Sequence, residues 1–534
     1  MIPTIQILVL LLVVTAAVAV LAARLKIPPA IILVLTGVVL ALIPGLPEVV
    51  LAPELVLLMV LPPLIYSSAV AMSWREFRFS LRPIALLAIG CVVFTTVAVA
   101  LAAYWLIGLP LAVGFVLGAI VSPPDAVAPL AIARRMQIPR RLLVILEGEG
   151  LANDATALIL YRFAVVAVSV HMFSLSKATG LFVVIVAGEI VWGIGVGWLM
   201  LRLRRWVNDP RTEITLSLLT PFLAYWPPDY LGGSGVLATV TAGLYISWNG
   251  LRLISAATRL QGIFFWDFLI YLIESLVFLI TGLQARTLIE RIHQYSIAEL
   301  AISAAIISAV VIGARFVWMY PATYIPRWLF PGLRRRDPSP PWQWPFALAF
   351  TGVRGVVSLA AALAIPFATA DGQPFPYRDL ILFLTFSVIL VTLVGQGLLL
   401  PTVIRWLGLA QAGDKERQAA RLEEYNARRQ AIEAVLERID QLAEERQLAD
   451  DVVRPARAHH RDRLRHIKHS SDGDDDHRQR TELDDELALL LIEAEREHIN
   501  KLSRDGELKD EARRRVEREL DLREAGIANR RAEE

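Results

Sequence analysis

The residues able to do chemistry sit where a polar side chain is hardest to keep. GAIVSPPDAVAPLAI places Asp125 behind Pro123 and Pro124 inside an apolar stretch. LEGEGLANDATALILY carries Glu149, Asn153 and Asp154, and FALAFTGVRGVVSLAAALAIP carries Arg354 between Gly352 and Gly355. An ionised side chain at mid-bilayer costs about 2.5–3.5 kcal/mol on insertion scales, so each is a functional candidate. Carboxylates beside an amide offer hard oxygen ligands, which suit a small hard cation or a proton in its place.

Each candidate also has a plainer reading. Two prolines remove two amide donors and break the helix, and such breaks are tolerated at membrane depth where they line a cavity. Asp125 then caps the new half-helix, where the dipole favours an anion, and that role is compatible with transport. Glu149 and Asn153 share a helix face, with Asp154 on its flank; Glu147 and Glu149 also fit an N-terminal cap cluster at the water interface. Arg354 keeps its proton. It must meet a carboxylate or the orphan carbonyls of a half-helix C-terminus. Glu274, mid-span in FLIYLIESLVFLITGLQ, is open as second ligand, ion-pair partner or hydrogen-bonder, and Glu189 is a further buried acid. Tyr66, Ser67 and Ser68 add hydroxyls.

These residues need a membrane body to position them. Of 534 residues, 55% are apolar and 19% charged, unevenly spread. Residues 1–410 carry 27 Lys/Arg and 18 Asp/Glu, while residues 411–534 carry 26 and 33. A single soluble domain and a nucleic-acid binder are thereby excluded. The single cysteine, Cys91, excludes an intrachain disulfide and a cysteine metal cage. Thirteen spans are expected, at about 4–23, 28–46, 53–72, 83–107, 111–133, 142–168, 178–201, 213–226, 233–248, 265–284, 297–325, 343–367 and 379–404. Merging the eighth and ninth would give twelve. The first, with no cationic segment before it, reads as an anchor. With the N-terminus outside, inner loops hold 19 Lys/Arg, and outer loops hold only Lys177, Arg286, Arg291 and Arg378.

The fold class is therefore an all-α polytopic membrane protein with interrupted spans five and twelve and a soluble helical tail. Residues 1–410 form the membrane domain and 411–534 the charged cytoplasmic tail. In the tail, Ile432, Val435, Ile439 and Leu442 lie at helical spacing, LDDELALLLIEAEREHINKL repeats the pattern, and HHRDRLRHIKHSSDGDDDHR reads as a loop. The tail reads as a helical hairpin or short coiled coil. Six of eight histidines lie here (His459, His460, His466, His469, His477, His498), open as a pH or partner sensor or as metal ligands. The two interrupted spans fall at matching places in halves 2–7 and 8–13 and point to a midplane site. Span parity starts both halves on the same side, so this pairing gives no inverted repeat.

Four ordered strings, LPPLIYSSA, SPPDAVAPLAI, GEGLANDATALILY and GVRGVVSLAAAL, resemble the monovalent cation:proton antiporter-1 family, the Na+/H+ exchangers, in its bacterial branch. The resemblance implies thirteen helices in inverted six-helix repeats, a core domain and a dimerisation domain, a homodimer, and elevator-like alternating access. It implies Asp154 as the ion-binding, proton-carrying carboxylate with Asn153 as partner, Asp125 as the acid of the unwound span, and Glu149–Arg354 as a buried ion pair. Many relatives carry a carboxylate where this chain has Ser67. Pro124 stands where a hydroxyl residue is common, so its carbonyl or Ser122 is the expected substitute, and Gly150 replaces a common Ser. The expected activity is one-for-one exchange of Na+ (or Li+ or K+) for H+, serving pH and sodium homeostasis in the inner membrane. No enzyme activity, nucleic-acid partner or cofactor beyond the transported ions is expected. The alternatives are a K+/H+ antiporter regulated by the tail and a transporter-like sensor without flux. An intramembrane aspartyl protease is disfavoured by the lack of a GxGD string, and a channel by the lack of a filter motif.

Overall fold

The structure is a computed structural model and describes residues 2–25, 27–44, 53–170, 175–207, 209–250, 253–292, 294–369, 372–471, 475–505, 508 and 510–533. Lys177 lies in a described helix, but its side chain, like those of His466, His469 and His477, lies outside the described residues.

Among the described residues every regular element is a helix. A helix or a broken pair occupies each of the thirteen expected spans. The first four are α1 (Ile2–Leu25), α2 (Pro29–Ala41), α3 (Pro53–Ala71) and α4 (Leu81–Ile107). The fifth is split into α5 (Leu111–Val121) and α6 (Val127–Arg135). Then come α7 (Arg140–Val170), α8 (Leu175–Arg204), α9 (Pro210–Tyr230), α10 (Val236–Asn249), α11 (Ala256–Arg291) and α12 (Ile297–Leu329). The twelfth span is split into α13 (Gln343–Phe350) and α14 (Val356–Leu363), and α15 (Arg378–Trp406) closes the series. By length and apolarity alone, eight of the described helices can cross a membrane unaided.

The helices sort into two packed groups. One gathers α4, α5, α7, α12, α13, α14 and α15 around the two breaks. In the other, α2 lies along α11, and α3, α8, α9 and α10 pack together. Glycines set one close crossing. A Cβ on Gly37 of α2 would lie 2.8 Å from the Cα of Gly282 on α11, so only hydrogen fits between these backbones.

The interrupted spans are five and twelve, an offset of seven. An odd offset reverses direction, so pairing spans 1–6 with 8–13 gives an inverted repeat. The parity conflict came from starting the first half at span two.

The described chain divides into two compact units after Asp414. Beyond α15 run α16 (Leu409–Glu445), α17 (Asp450–Ser471), α18 (Asp475–Arg504) and α19 (Asp510–Glu533). The segment expected as a loop is thus largely helix: HHRDRLRHIKHSS continues α17 to Ser471. Polarity misled there, because arginine is a good helix former and charged partners one turn apart, such as Asp450 and Arg454 at 2.5 Å, support a solvated helix. In the tail Ile492 packs with Leu520 and Ile527. Arg496 bridges α18 to Asp521 and Glu524 on α19 at 2.8 Å each.

Candidate ion-binding site

The break in span five leaves α5 with carbonyls that have lost their helical partners. Arg354 supplies what they need. Its Nε donates to the Val121 carbonyl at 2.9 Å and its Nη2 to that of Ser122 at 3.3 Å; Nη1 donates to the carbonyl of Gly352. The cation therefore sits at the negative end of the α5 dipole. Its own amide donates to Thr392 Oγ1 at 3.0 Å, where α15 is locally wound as a π-helical turn.

On the other side of the break, Asp125 Oδ1 accepts the amide of Val127, the first residue of α6, at 2.9 Å. Its amide donates to the Val353 carbonyl at 2.7 Å, so the two breaks are bonded to each other. Gly355 makes room for this crossing, since a Cβ there would fall on the Asp125 carboxylate. The missing hydroxyl at Gly150 has the same kind of cause: a Cβ would come 2.7 Å from the Cβ of Ala126.

Glu149 is paired, but its partner is Arg315, not Arg354. From α12, Arg315 Nη1 and Nη2 meet the two carboxylate oxygens at 2.5 and 2.8 Å, while Nε donates to the Leu348 carbonyl at 3.0 Å. This two-pronged fork is the strong geometry for a carboxylate, and both side chains are buried. The two arginines are neighbours: a Cβ on Gly352 would lie 2.9 Å from Arg315 Nε and from Arg354 Nη1. Arg354 is held by the carbonyls, which leaves the acid to Arg315. Mid-span placement, the signal that flagged Arg354, applies equally to Arg315 in VIGARFVW. Glu147, by contrast, pairs with Arg134 at 2.7 Å at the helix start.

Asn153 is buried and donates its amide to the Pro124 carbonyl at 2.6 Å, leaving Oδ1 buried without a partner. Pro124's carbonyl is thus engaged by Asn153, and the Ser122 hydroxyl turns back to the Ala119 carbonyl at 3.2 Å. Asp154 lies one residue on. Among the described residues no ion pair is formed by Asp154 or Asp125. Both remain partly accessible to a water-sized body, although they lie mid-helix and at a mid-span break. A cavity of about 10 Å³ reaches Asp154, lined also by Ile120, Pro123, Tyr161, Ser358 and Ala361. Ser358 on α14 is a site residue the motifs did not single out, although it lies inside GVRGVVSLAAAL.

The remaining candidates separate. Glu274 on α11 is half-buried. Ser67 on α3 is half-buried, while Tyr66 beside it is buried against Trp266, with ring centroids 5.3 Å apart. Glu189 is a helix cap. It accepts the amides of Ser234, Gly235 and Leu237 at 2.6, 3.2 and 3.1 Å, holding the start of α10.

A polytopic bundle in which two broken helices meet beside two partly accessible acids and a buried acid–arginine pair has a secondary-transporter architecture. The family model for the sodium/hydrogen exchanger transmembrane region matches residues 8–406, and the chain belongs to that family. It is 34% identical over 513 residues to an uncharacterized Na+/H+ exchanger of Mycobacterium tuberculosis, covering 94% of this chain and 92% of that one. It is 33% identical to a sodium, potassium, lithium and rubidium/H+ antiporter of Bacillus subtilis, covering 70% of this chain and 57% of the relative. The sodium proton antiporter MjNhaP1 of Methanocaldococcus jannaschii shares the fold, with a TM-score of 0.61 at 19% identity over 77% of this chain and 99% of that one.

Proposed function

We propose that the protein exchanges Na+ for H+ by competition at Asp154. The charge arrangement carries this reading. At the crossing, Arg315 and Arg354 stand against Glu149, Asp125 and Asp154, so one negative charge is left over. One proton or one monovalent cation cancels it. Either loaded form can then reorient as a neutral body, while the empty form would move an unpaired anion through a low-dielectric path. Exchange is one for one and electroneutral.

In the cation-bound step, Asp154 supplies the charge, and Asn153 Oδ1, the buried unpartnered acceptor, is the natural neutral ligand. Asp125 holds the second carboxylate oxygen pair nearby while its amide keeps the breaks together. In the proton-bound step Asp154 alone is neutralised. By the charge rule the arginine-rich end is cytoplasmic, the N-terminus lies outside, and the tail is inside the cell. The family resemblance supports a homodimer in which the group around the breaks moves against the other.

The test is a dye-based proton-flux assay in proteoliposomes, with Na+, Li+ and K+ presented in turn. Asp154→Asn is expected to abolish cation-driven flux while the protein remains folded and membrane-embedded. Unchanged flux in that variant refutes the assignment.

A further inference from the structure

A second charged cluster lies at the arginine-rich end of the membrane body. Arg82 at the start of α4, Arg141 at the start of α7 and Arg327 at the end of α12 all converge on Asp337, in the link between α12 and α13. Their Nη2 atoms lie 2.7, 2.7 and 2.8 Å from its carboxylate oxygens. Arg327 is buried and also donates from Nε to the Asp337 carbonyl at 3.1 Å. The nearby Glu76 is taken by Arg140 at 2.8 Å.

One carboxylate needs one guanidinium, and here there are three. The excess is two positive charges. Two donors in the cluster, Arg82 Nη1 and Arg141 Nε, are buried and have no partner. A buried donor without an acceptor is an unfavourable arrangement unless something else completes it. The three arginines also line a cavity of about 40 Å³ whose other walls, apart from Thr323, are apolar, among them Leu86, Met319 and Trp344. Exposed Trp342, Trp328 and Trp406 mark the same end of the bundle as the level of the lipid headgroups.

We infer that this cavity binds a phosphate-bearing anion, the headgroup of an anionic phospholipid. A phosphate offers oxygens to the two orphan donors and cancels the excess charge, and the apolar walls accept the glycerol and upper acyl carbons. Free inorganic phosphate shares the headgroup chemistry but has no use for those walls. Basic pockets between membrane helices are used in this way for acidic lipids. The cavity draws on the helices that carry Glu149 and Arg315, so an occupied pocket braces the ends of the same helices.

The experiment uses the purified full chain in phosphatidylcholine mixed micelles, titrated with phosphatidylglycerol or with inorganic phosphate. Native mass spectrometry counts retained lipid, and thermal unfolding reads Tm. Saturable phosphatidylglycerol retention with a raised Tm is expected, weakened at least fivefold in Arg82→Gln and in Arg141→Gln. Asp337→Asn breaks the same bridges but removes the competing acid, and is expected to retain the lipid as well or better. Equal retention of the two lipids, wild-type binding by both arginine variants, or loss of binding in Asp337→Asn would each overturn the proposal. Inorganic phosphate giving the full Tm shift by itself overturns the lipid assignment.

Discussion

Arg315 meets both carboxylate oxygens of Glu149 in a buried fork, at 2.5 and 2.8 Å. The pair ties α12 to α7 just over one helical turn before Asp154, the acid proposed to bind the ion. Removing one partner of such a pair strands a charge, at about 3–5 kcal/mol. Arg315→Ala is therefore expected to lose that much stability in detergent denaturation. The double variant Glu149→Gln/Arg315→Gln should recover part of the loss. A single variant as stable as wild type would show that the pair is dispensable.

Gly355 predicts a functional effect with little unfolding. A methyl group there collides with the Asp125 carboxylate. Gly355→Ala should displace that acid and cut cation-driven proton flux by at least tenfold, with expression and Tm close to wild type. Flux within twofold of wild type would mean that the crossing is looser than described.

Glu189 predicts a purely structural effect. It holds three amides at the start of α10, so Glu189→Ala leaves buried donors unsatisfied. Each such donor costs about 1–3 kcal/mol. A fall in Tm with the apparent affinity for Na+ unchanged is the expected outcome. A changed cation affinity at unaltered Tm would place Glu189 in transport instead.

Asp337 predicts a pH effect. Burial opposes its charge, but the hydrogen bond and charge of Arg141, together with those of Arg327, outweigh it and hold the carboxyl below its ordinary 3.8. A depressed acid stabilises the fold above its unfolded value, and the contribution disappears as pH falls through the folded one. The Tm difference between wild type and Asp337→Asn should be flat from about pH 5 to 8 and shrink below about pH 4. A difference that grows on acidification contradicts this sign.

The spans and both breaks were legible in the chain because each rests on a strong local signal. A run of apolar residues has few alternatives, and Pro123-Pro124 or a glycine pair around Arg354 interrupts a helix wherever it occurs. Partnership was not legible. Arg315 and Arg354 are both mid-span arginines within reach of the same neighbourhood, and only three-dimensional placement shows which one has carbonyls to satisfy and which one an acid. Asn153's choice of the Pro124 carbonyl depends likewise on how the span-five break is laid against α7, and the place of Ser358 in the cavity beside Asp154 on how α14 is laid there. The helix through Ser471 was missed for a different reason: solvated helices carry no apolar signature.

The chamber beside Asp154, about 10 Å³, holds roughly one water. On the proposed exchange at Asp154, an arriving metal ion must therefore surrender nearly all its hydration before the carboxylate can take hold of it. Dehydration then becomes the toll on each cycle, steep in temperature and different for Li+, Na+ and K+, and bulky organic ammonium ions are turned away by size alone.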